Sequence, residues 1–580
     1  MVVDLSLTNP ENWDQDESPK FSGNPTDAVI YELHMRDLSS HFTSGIKNVG
    51  KYLQFTEIGS TSPEGLATGV DHLKELGITH LHLLPSFDHR SIDETRLNEP
   101  QFNWGYDPQN YNVPEGSYST DPEHGEVRIN EFKQMVQSLH KNEIRVVLDV
   151  VYNHTGATAD SDFNKIVPGY YYRQNVTGGF SNGSGCGNET ASDRGMMRKF
   201  IVDSVSYWAT EYNIDGFRFD LMALHDIETM NQVRATLNEI NPTIIVYGEG
   251  WDAGGSALAQ NKAALKIYAS QMPGIAMFSD DIRDGVKGSV FNAEEPGFVN
   301  GYFSMAERVK FGIVGATKHS QIDYNLVELA GGSRGPWASE AAQSVNYVSA
   351  HDNNTLYDKL LATLPDADEA TLEAMQKQAN AIVLTAQGVP FLHAGVEMMR
   401  TKDGDHNSYN ASDEVNQIDW SWKSEHEDIF NYYKGLIELR AVHPAFRMSA
   451  QEDINANLSF FEDIPSGVIA FNLGKNANGD SASDIAVIHN ATDSEQVITL
   501  PTSTNWRLVV NGEQAGTEVI ETIKGDTVTV TPHSSFVLLN DTTVEAGNDF
   551  NQVLLIAGAA LLVVAGTVGY IIYDKKKKSF

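Results

Sequence analysis

Two kinds of hydrophobic pattern alternate along the chain from residue 28 onward. Leu66, Val70, Leu73 and Leu76 keep helical spacing, stop at Gly77, and are followed by the apolar run 78–84, closed by Pro85. Phe132, Met135, Val136 and Leu139 form the next helical face, ahead of the run 144–151 and its polar end Tyr152-Asn153-His154. Met197, Phe200, Ile201, Val205 and Trp208 lead into Gly216-Phe217-Arg218-Phe219-Asp220. Met230, Val233, Leu237 and Ile240 precede Pro242 and the run 243–247, which ends Gly248-Glu249-Gly250-Trp251. With Val29-Ile30-Tyr31 before these, and the runs 275–278, 345–348 and 389–392 after them, the pattern predicts eight strands separated by helices. That is the plan of an α/β fold, a (β/α)8 TIM barrel. An open doubly wound sheet is the rival fold, but Glu32-Leu33-His34-Met35-Arg36 after the first strand is no Gly-rich phosphate turn.

After Phe446 the runs shorten and alternate. Strands are expected at 459–461, 468–471, 485–488, 497–498, 506–510, 527–530 and 535–539, with Gly, Asn and Asp between them, as in a small antiparallel β-sandwich. Residues 553–573 are apolar and uncharged, long enough for a C-terminal transmembrane helix, and the lysines 575–578 follow. The organisation expected is thus a lead-in at 1–24, the barrel at 25–445, the sandwich at 446–541, a linker at 542–551 and a membrane anchor with a basic tail at 552–580. No basic stretch followed by an apolar run stands at the N-terminus, so no secretory signal is visible.

Charge and cysteine content narrow the function. Across 580 residues, 41 Lys and Arg against 78 Asp and Glu give a formal charge of −37, which repels nucleic acid. The single cysteine, Cys186, excludes an intrachain disulfide and any multi-cysteine metal site.

The chemistry is sought where strands end, because a parallel barrel turns all its C-terminal strand ends to one mouth. Period-two alternation puts Arg218 and Asp220 on one face, where they form a structural ion pair or an active-site pair. Glu249 and Asp352 end two further runs, and His154 and His351 two as well. Three carboxylates converging on one mouth are electrostatically unfavourable unless used. Two of them about 5 Å apart suit a retaining glycosidase. Burial near Trp251 would keep Glu249 protonated as an acid. Each histidine reads as a sugar-hydroxyl ligand or as a satisfied core residue.

Four segments, Asp149-Val150-Val151-Tyr152-Asn153-His154, the stretch ending at Asp220, Tyr247 to Trp251, and Ser349-Ala350-His351-Asp352-Asn353, resemble the ordered signature segments of the α-amylase superfamily. Phe102-Asn103-Trp104-Gly105-Tyr106-Asp107-Pro108 is similar to the motif of type I pullulanases, with Phe102 where that motif usually has Tyr. The resemblance spans residues 2–541. It implies Asp220 as nucleophile, Glu249 as general acid/base and Asp352 as the third carboxylate. Arg218, His154, His351 and Asn353 would line the subsite of the attacked glucose, with Tyr106 stacked on its ring and Trp251 on the leaving-group side. The implied activity is retaining hydrolysis of α-1,6-glucosidic branches in pullulan, amylopectin and related α-glucans. The alternatives are an α-1,4-acting amylase or amylopullulanase, and a non-catalytic anchored barrel that binds a glucan or a partner.

The resemblance also implies modules ahead of the barrel, so that the enzyme would sit anchored at the cell surface with the barrel outside; a cytosolic tail-anchored protein is the alternative. No cofactor is required by this chemistry. Calcium is possible at Asp403, Asp405, Asn407 and Glu414, but Ser408 stands where such a loop needs Gly, so it is not supported. That segment is expected instead to touch glucan, through Asp413.

Overall fold

Eight parallel strands close on themselves in the computed structural model, which describes residues 2–327 and 335–540. They are β1 (Ile30–Leu33), β2 (His80–Leu83), β3 (Arg145–Val150), β4 (Gly216–Phe219), β5 (Ile245–Gly248), β6 (Ala276–Phe278), β7 (Ser344–Asn346) and β8 (Val389–His393). Each lies beside its neighbours in sequence, and β8 pairs with β1 to complete the ring. The helices Gly69–Leu76, Gly125–Lys141, Gly195–Glu211 and Ile227–Ile240 follow the first four strands. Their apolar stripes carry the expected residues: Val70, Leu73, Phe132, Met135, Val205, Trp208, Met230 and Val233 are all fully buried.

Alternation along each strand decides which residues meet inside. Ile30, Val147, Ile245, Tyr247, Ala276, Phe278, Val345, Val389 and Phe391 share an interior apolar cluster, while their neighbours in sequence face the helices. Gly216 occupies an interior position that only glycine fits. A Cβ there would come within 2.7 Å of Ile245 Cγ1 and 2.9 Å of Val147 Cγ2. One step further along the same faces the interior turns polar: Glu32, His82, Asp149 and Arg218 are all buried.

The C-terminal region is antiparallel: β9 (Leu458–Phe460), β10 (Val468–Gly474), β11 (Asp484–Asn490), β12 (Gln496–Val510), β13 (Glu521–Val530) and β14 (Ser534–Asn540). They hydrogen-bond as one sheet in the order β9-β10-β11-β14-β12-β13. The runs expected as separate strands at 497–498 and 506–510 are one long strand, whose pairing with β13 shifts register between Thr499 and Thr504. One face of the sheet, with Ile469, Phe471, Ile485 and Val487, joins the barrel's apolar cluster. The other, with Val468, Ala470, Ile488 and Leu538, closes on Ile498, Leu500 and Trp506. Asn490 on β11 ties down the turn that joins β13 to β14, its Nδ2 donating to the carbonyls of Val530 (3.2 Å) and Thr531 (2.9 Å).

The expected fold is corrected in its last element. No helix among the described residues is long and apolar enough to cross a membrane. The helix Gly125–Lys141, at 17 residues, would span only about 26 Å, and it carries Glu126, Arg128, Lys133 and Lys141. The span expected at 553–573 lies outside the described residues. The membrane partner and the cell-surface or tail-anchored location drawn from that span therefore find no support among the described residues.

Candidate active site

A cavity of about 830 Å³ opens at the C-terminal ends of the barrel strands. Asp220 follows β4 directly and Glu249 follows β5, whereas Asp352 stands on the loop after β7. All three line the cavity, together with Tyr106, His154, Arg218, Trp251, His351 and Asn353. Asp413 does not line it. Arg36 takes its carboxylate instead, with Nε donating to Oδ1 at 2.9 Å and Nη2 to Oδ2 at 2.5 Å. From the same segment, Asn407 and Tyr409 reach the cavity wall.

Arg218 organises the floor. Its Nη1 lies 3.0 Å from Asp220 Oδ1 and 3.0 Å from Asp149 Oδ1, and its Nη2 lies 2.9 Å from Glu249 Oε1. One buried guanidinium thus serves three carboxylates, a geometry that suits Arg and not Lys. Asn153 fixes Asp220 from the other side, Nδ2 donating to Oδ2 at 2.7 Å and to the Asp220 carbonyl at 2.8 Å. Leu221, next in the chain, adopts a left-handed conformation (φ 38°) that a leucine tolerates only under constraint. That turn aims its N–H at Glu249 Oε2, 2.7 Å away.

Electrostatics divides the carboxyl groups. Burial above all, then the charges of Asp220 and Asp352, push the Glu249 carboxyl up to about 7 against the pull of Arg218. Asp220 is also raised by burial, with Asp149 adding to it, while Arg218, His154 and Asn153 oppose the rise. Asp149 is buried too, yet Arg218 and His82 hold its carboxyl below the usual range. Asp352 differs from all of them: its side chain is 57 % exposed, at the cavity rim, 3.8 Å from His351 Nε2.

Aromatic and histidine groups complete the walls. Tyr106 stacks on His351 with ring centroids 5.0 Å apart, and its hydroxyl donates to Asp149 Oδ2 at 2.7 Å. His154 has both ring nitrogens engaged, Nε2 with the Tyr106 carbonyl at 2.7 Å and Nδ1 with Asn153 Oδ1 at 2.5 Å. Phe102 packs on His34, its centroid 4.6 Å away. The positioning groups Glu32, His82 and Asp149 were not singled out from the sequence for a role. Each is a polar residue at the end of an apolar strand, the same signal that marked Arg218 and Asp220.

Among the described residues, two groups bring three possible metal-ligand atoms together, and neither includes the loop at Asp403 to Glu414. Asp88, Glu94 and Glu115 already have a cation in Arg128, 2.6 Å from Glu94 Oε2. Glu369, Glu373 and His426 lie on the helical shell, away from the cavity.

Family models described as "Pullulanase, all-beta domain" and "Alpha amylase, catalytic domain" match residues 454–514 and 56–168. The pullulanase of Bacillus subtilis (strain 168) is 42 % identical over 484 residues, 83 % of this chain and 64 % of that protein. The structure of apo pullulanase from Paenibacillus barengoltzii superposes with a TM-score of 0.87 at 46 % identity, covering 93 % of this chain and 80 % of that one. The chain belongs to the pullulanase family. Pullulanase from Bacillus acidopullulyticus is similar at a TM-score of 0.87 and 45 % identity, over 93 % of this chain and 64 % of that one. The chain spans less than two thirds of the length of the curated relatives it matches, 64 % of the Bacillus subtilis protein and 42 % of pullulanase A from Streptococcus pneumoniae serotype 2 (strain D39 / NCTC 7466).

Proposed function

We propose that this chain is a retaining glycoside hydrolase that cleaves α-1,6-glucosidic branch linkages in pullulan, amylopectin and related α-glucans. The observation that carries the reading is the pair Asp220 and Glu249, shared by the two Nη nitrogens of Arg218 in one cavity, with Asp220 also held by Asn153 and Glu249 pushed up to about 7. Such a pair divides the labour of a double displacement. Asp220, fixed by Arg218 and Asn153, attacks the anomeric carbon, and Glu249 protonates the leaving oxygen. Glu249 then takes a proton from the water that releases the sugar. Asp352 stabilises the positive charge that develops on the ring in between. Tyr106 stacks on the sugar at the attacked position, His154, His351 and Asn353 line that subsite, and Trp251 borders the leaving side.

Relatives support the substrate class: one pullulanase structure from Paenibacillus barengoltzii is a complex with maltohexaose and α-cyclodextrin. An α-1,4-acting amylase or amylopullulanase would use the same carboxylates. The non-catalytic alternative finds no support in a cavity that keeps all three. Incubation with pullulan tests the reading. Maltotriose is the expected product, whereas panose, or no product, would overturn it.

A further inference from the structure

We infer that Glu32, at the end of β1, is a positioning residue for this reaction, locking both the backbone and the ring of His351 and so setting Asp352 at the cavity rim. The inference rests on the functional reading above. Glu32 is 1 % exposed and spends both carboxylate oxygens on a single residue 319 positions away. Its Oε2 accepts the backbone N–H of His351 at 2.6 Å, and its Oε1 meets the ring at Nδ1, 2.7 Å away. β1 and β7 are not neighbours; Glu32 reaches across β8 to hold the loop that β7 delivers.

Other groups add to the hold on His351. Tyr106 stacks on one face of the ring and Trp104 meets it edge-on at 4.8 Å. Lys402 Nζ lies 3.4 Å from the His351 carbonyl. Asn353, two residues on, takes a left-handed conformation (φ 65°), so the loop depends on outside anchors to keep its shape. With Nδ1 committed to Glu32, the ring turns Nε2 toward Asp352 Oδ2, 3.8 Å away. Asp352 has no other cationic side chain within 4.0 Å among the described residues.

Carboxylates on both edges favour the imidazolium. The charged groups around the ring are Glu32 on β1, Arg218 on β4, Lys402 after β8 and Asp352 on its own loop, with Asp149 on β3 further out and His393 on β8, which burial keeps neutral. Burial works against the charged ring, but Glu32 and Asp352 carry it up to about 9. Glu32 itself, despite burial, is brought down to about 2, first by His351 and then by His82 and Arg218. A loop N–H could be capped by a neutral amide. A carboxylate is needed only to keep the ring charged as well.

Glu32→Gln separates the two roles, because the amide can still accept the backbone N–H but carries no charge. Histidine is labelled at 13Cε1, and the His351 resonance is identified by its loss in His351→Gln. In the wild type that resonance should stay in the imidazolium position through pH 8. In Glu32→Gln it should titrate lower by about two pH units, with kcat on pullulan down about 100-fold and KM within about twofold. Glu32→Asp, which keeps the charge, should recover at least half the titration shift, and it serves as the probe if the Gln variant fails to fold. An unchanged His351 titration in the variant would overturn the inference, as would wild-type kcat in the presence of the shift. The titration needs no substrate. If the wild type cleaved no α-glucan, the functional reading would fall while the hold of Glu32 on His351 was still decided.

Discussion

At the barrel mouth Glu32, Asp149, Arg218 and Glu249 are buried ionisable groups packed against one another, whereas β10, β11 and β14 bury mainly Val, Ile, Ala, Phe and Leu, with uncharged Asn, Ser and His at other buried positions such as Asn472, His489 and Ser535. Both regions are dry and both are built on strands. The difference lies in what burial does in each. In the sheet it stabilises, at about 25 cal/mol per Å² of apolar surface removed from water. At the mouth it costs stability, because each ion gives up water, and returns a carboxyl group tuned for proton transfer. The C-terminal sheet and the helical shell therefore carry the stability that the mouth consumes, and substitutions should act oppositely in the two places.

The sharpest break of that contrast is Asp220→Asn. Removing the proposed nucleophile should lower kcat by a factor of about 10⁴ or more while leaving the melting temperature unchanged or higher, since a buried charge is lost. Kinetics on pullulan and a thermal melt read both. Arg218→Met should damage both properties, because three carboxylates then share a dry site without a counterion. A stability loss of about 3–5 kcal/mol in urea titration is expected, together with loss of activity.

Trp506→Ala tests the other region. Its indole is fully buried in the apolar cluster of the C-terminal sheet and Nε1 donates to the Thr502 carbonyl at 3.1 Å. Urea titration should register about 3–5 kcal/mol of lost stability with kcat at 25 °C unchanged.

Glu249 links the two quantities through pH. Its carboxyl titrates at about 7 in the fold, chiefly through burial, against an ordinary value of 4.5. The acid form is the working form, so kcat/KM should fall above pH 7. For stability, the folded chain holds a proton between those two values that the unfolded chain has released. This contribution is full below pH 4.5 and is lost as pH rises through 7. Glu249→Gln should remove that part of the slope in melts across the range. The smallest effect is expected at Asp413→Ala, with kcat/KM on pullulan within about threefold, because that carboxylate is bound to Arg36 outside the cavity.

The contrast also explains what was legible in the sequence. The barrel was, because eight apolar strand runs recur along the chain and four of them are led by an apolar helix face. Asp220 and Glu249 were, because a charge at the end of an apolar run is an exception to local rules and strained sites break such rules. Glu32 obeys the same logic, but its partner lies 319 residues away and only ring closure by β8 and β1 brings them together. Asp413 misled because its place after the last strand suggested the mouth, and the partner that holds it, Arg36, follows the first. The joined strand β12 was missed because Pro501 and the polar residues after it look like a turn, and the shift in pairing absorbs them without ending the strand. The expected membrane span rested on an apolar run and the lysines after it, and residues 553–573 lie outside the described residues.

The central claim is the division of labour between Asp220 and Glu249. It is tested most directly by giving Glu249→Gln an activated substrate, α-maltosyl fluoride, whose departure needs no acid. Glycosylation then proceeds, hydrolysis stalls without its base, and the covalent intermediate accumulates. Peptide mass spectrometry should find the added maltosyl mass on the peptide containing Asp220 and on no other. A label on a different residue, or no covalent adduct while the fluoride is turned over, would contradict the account.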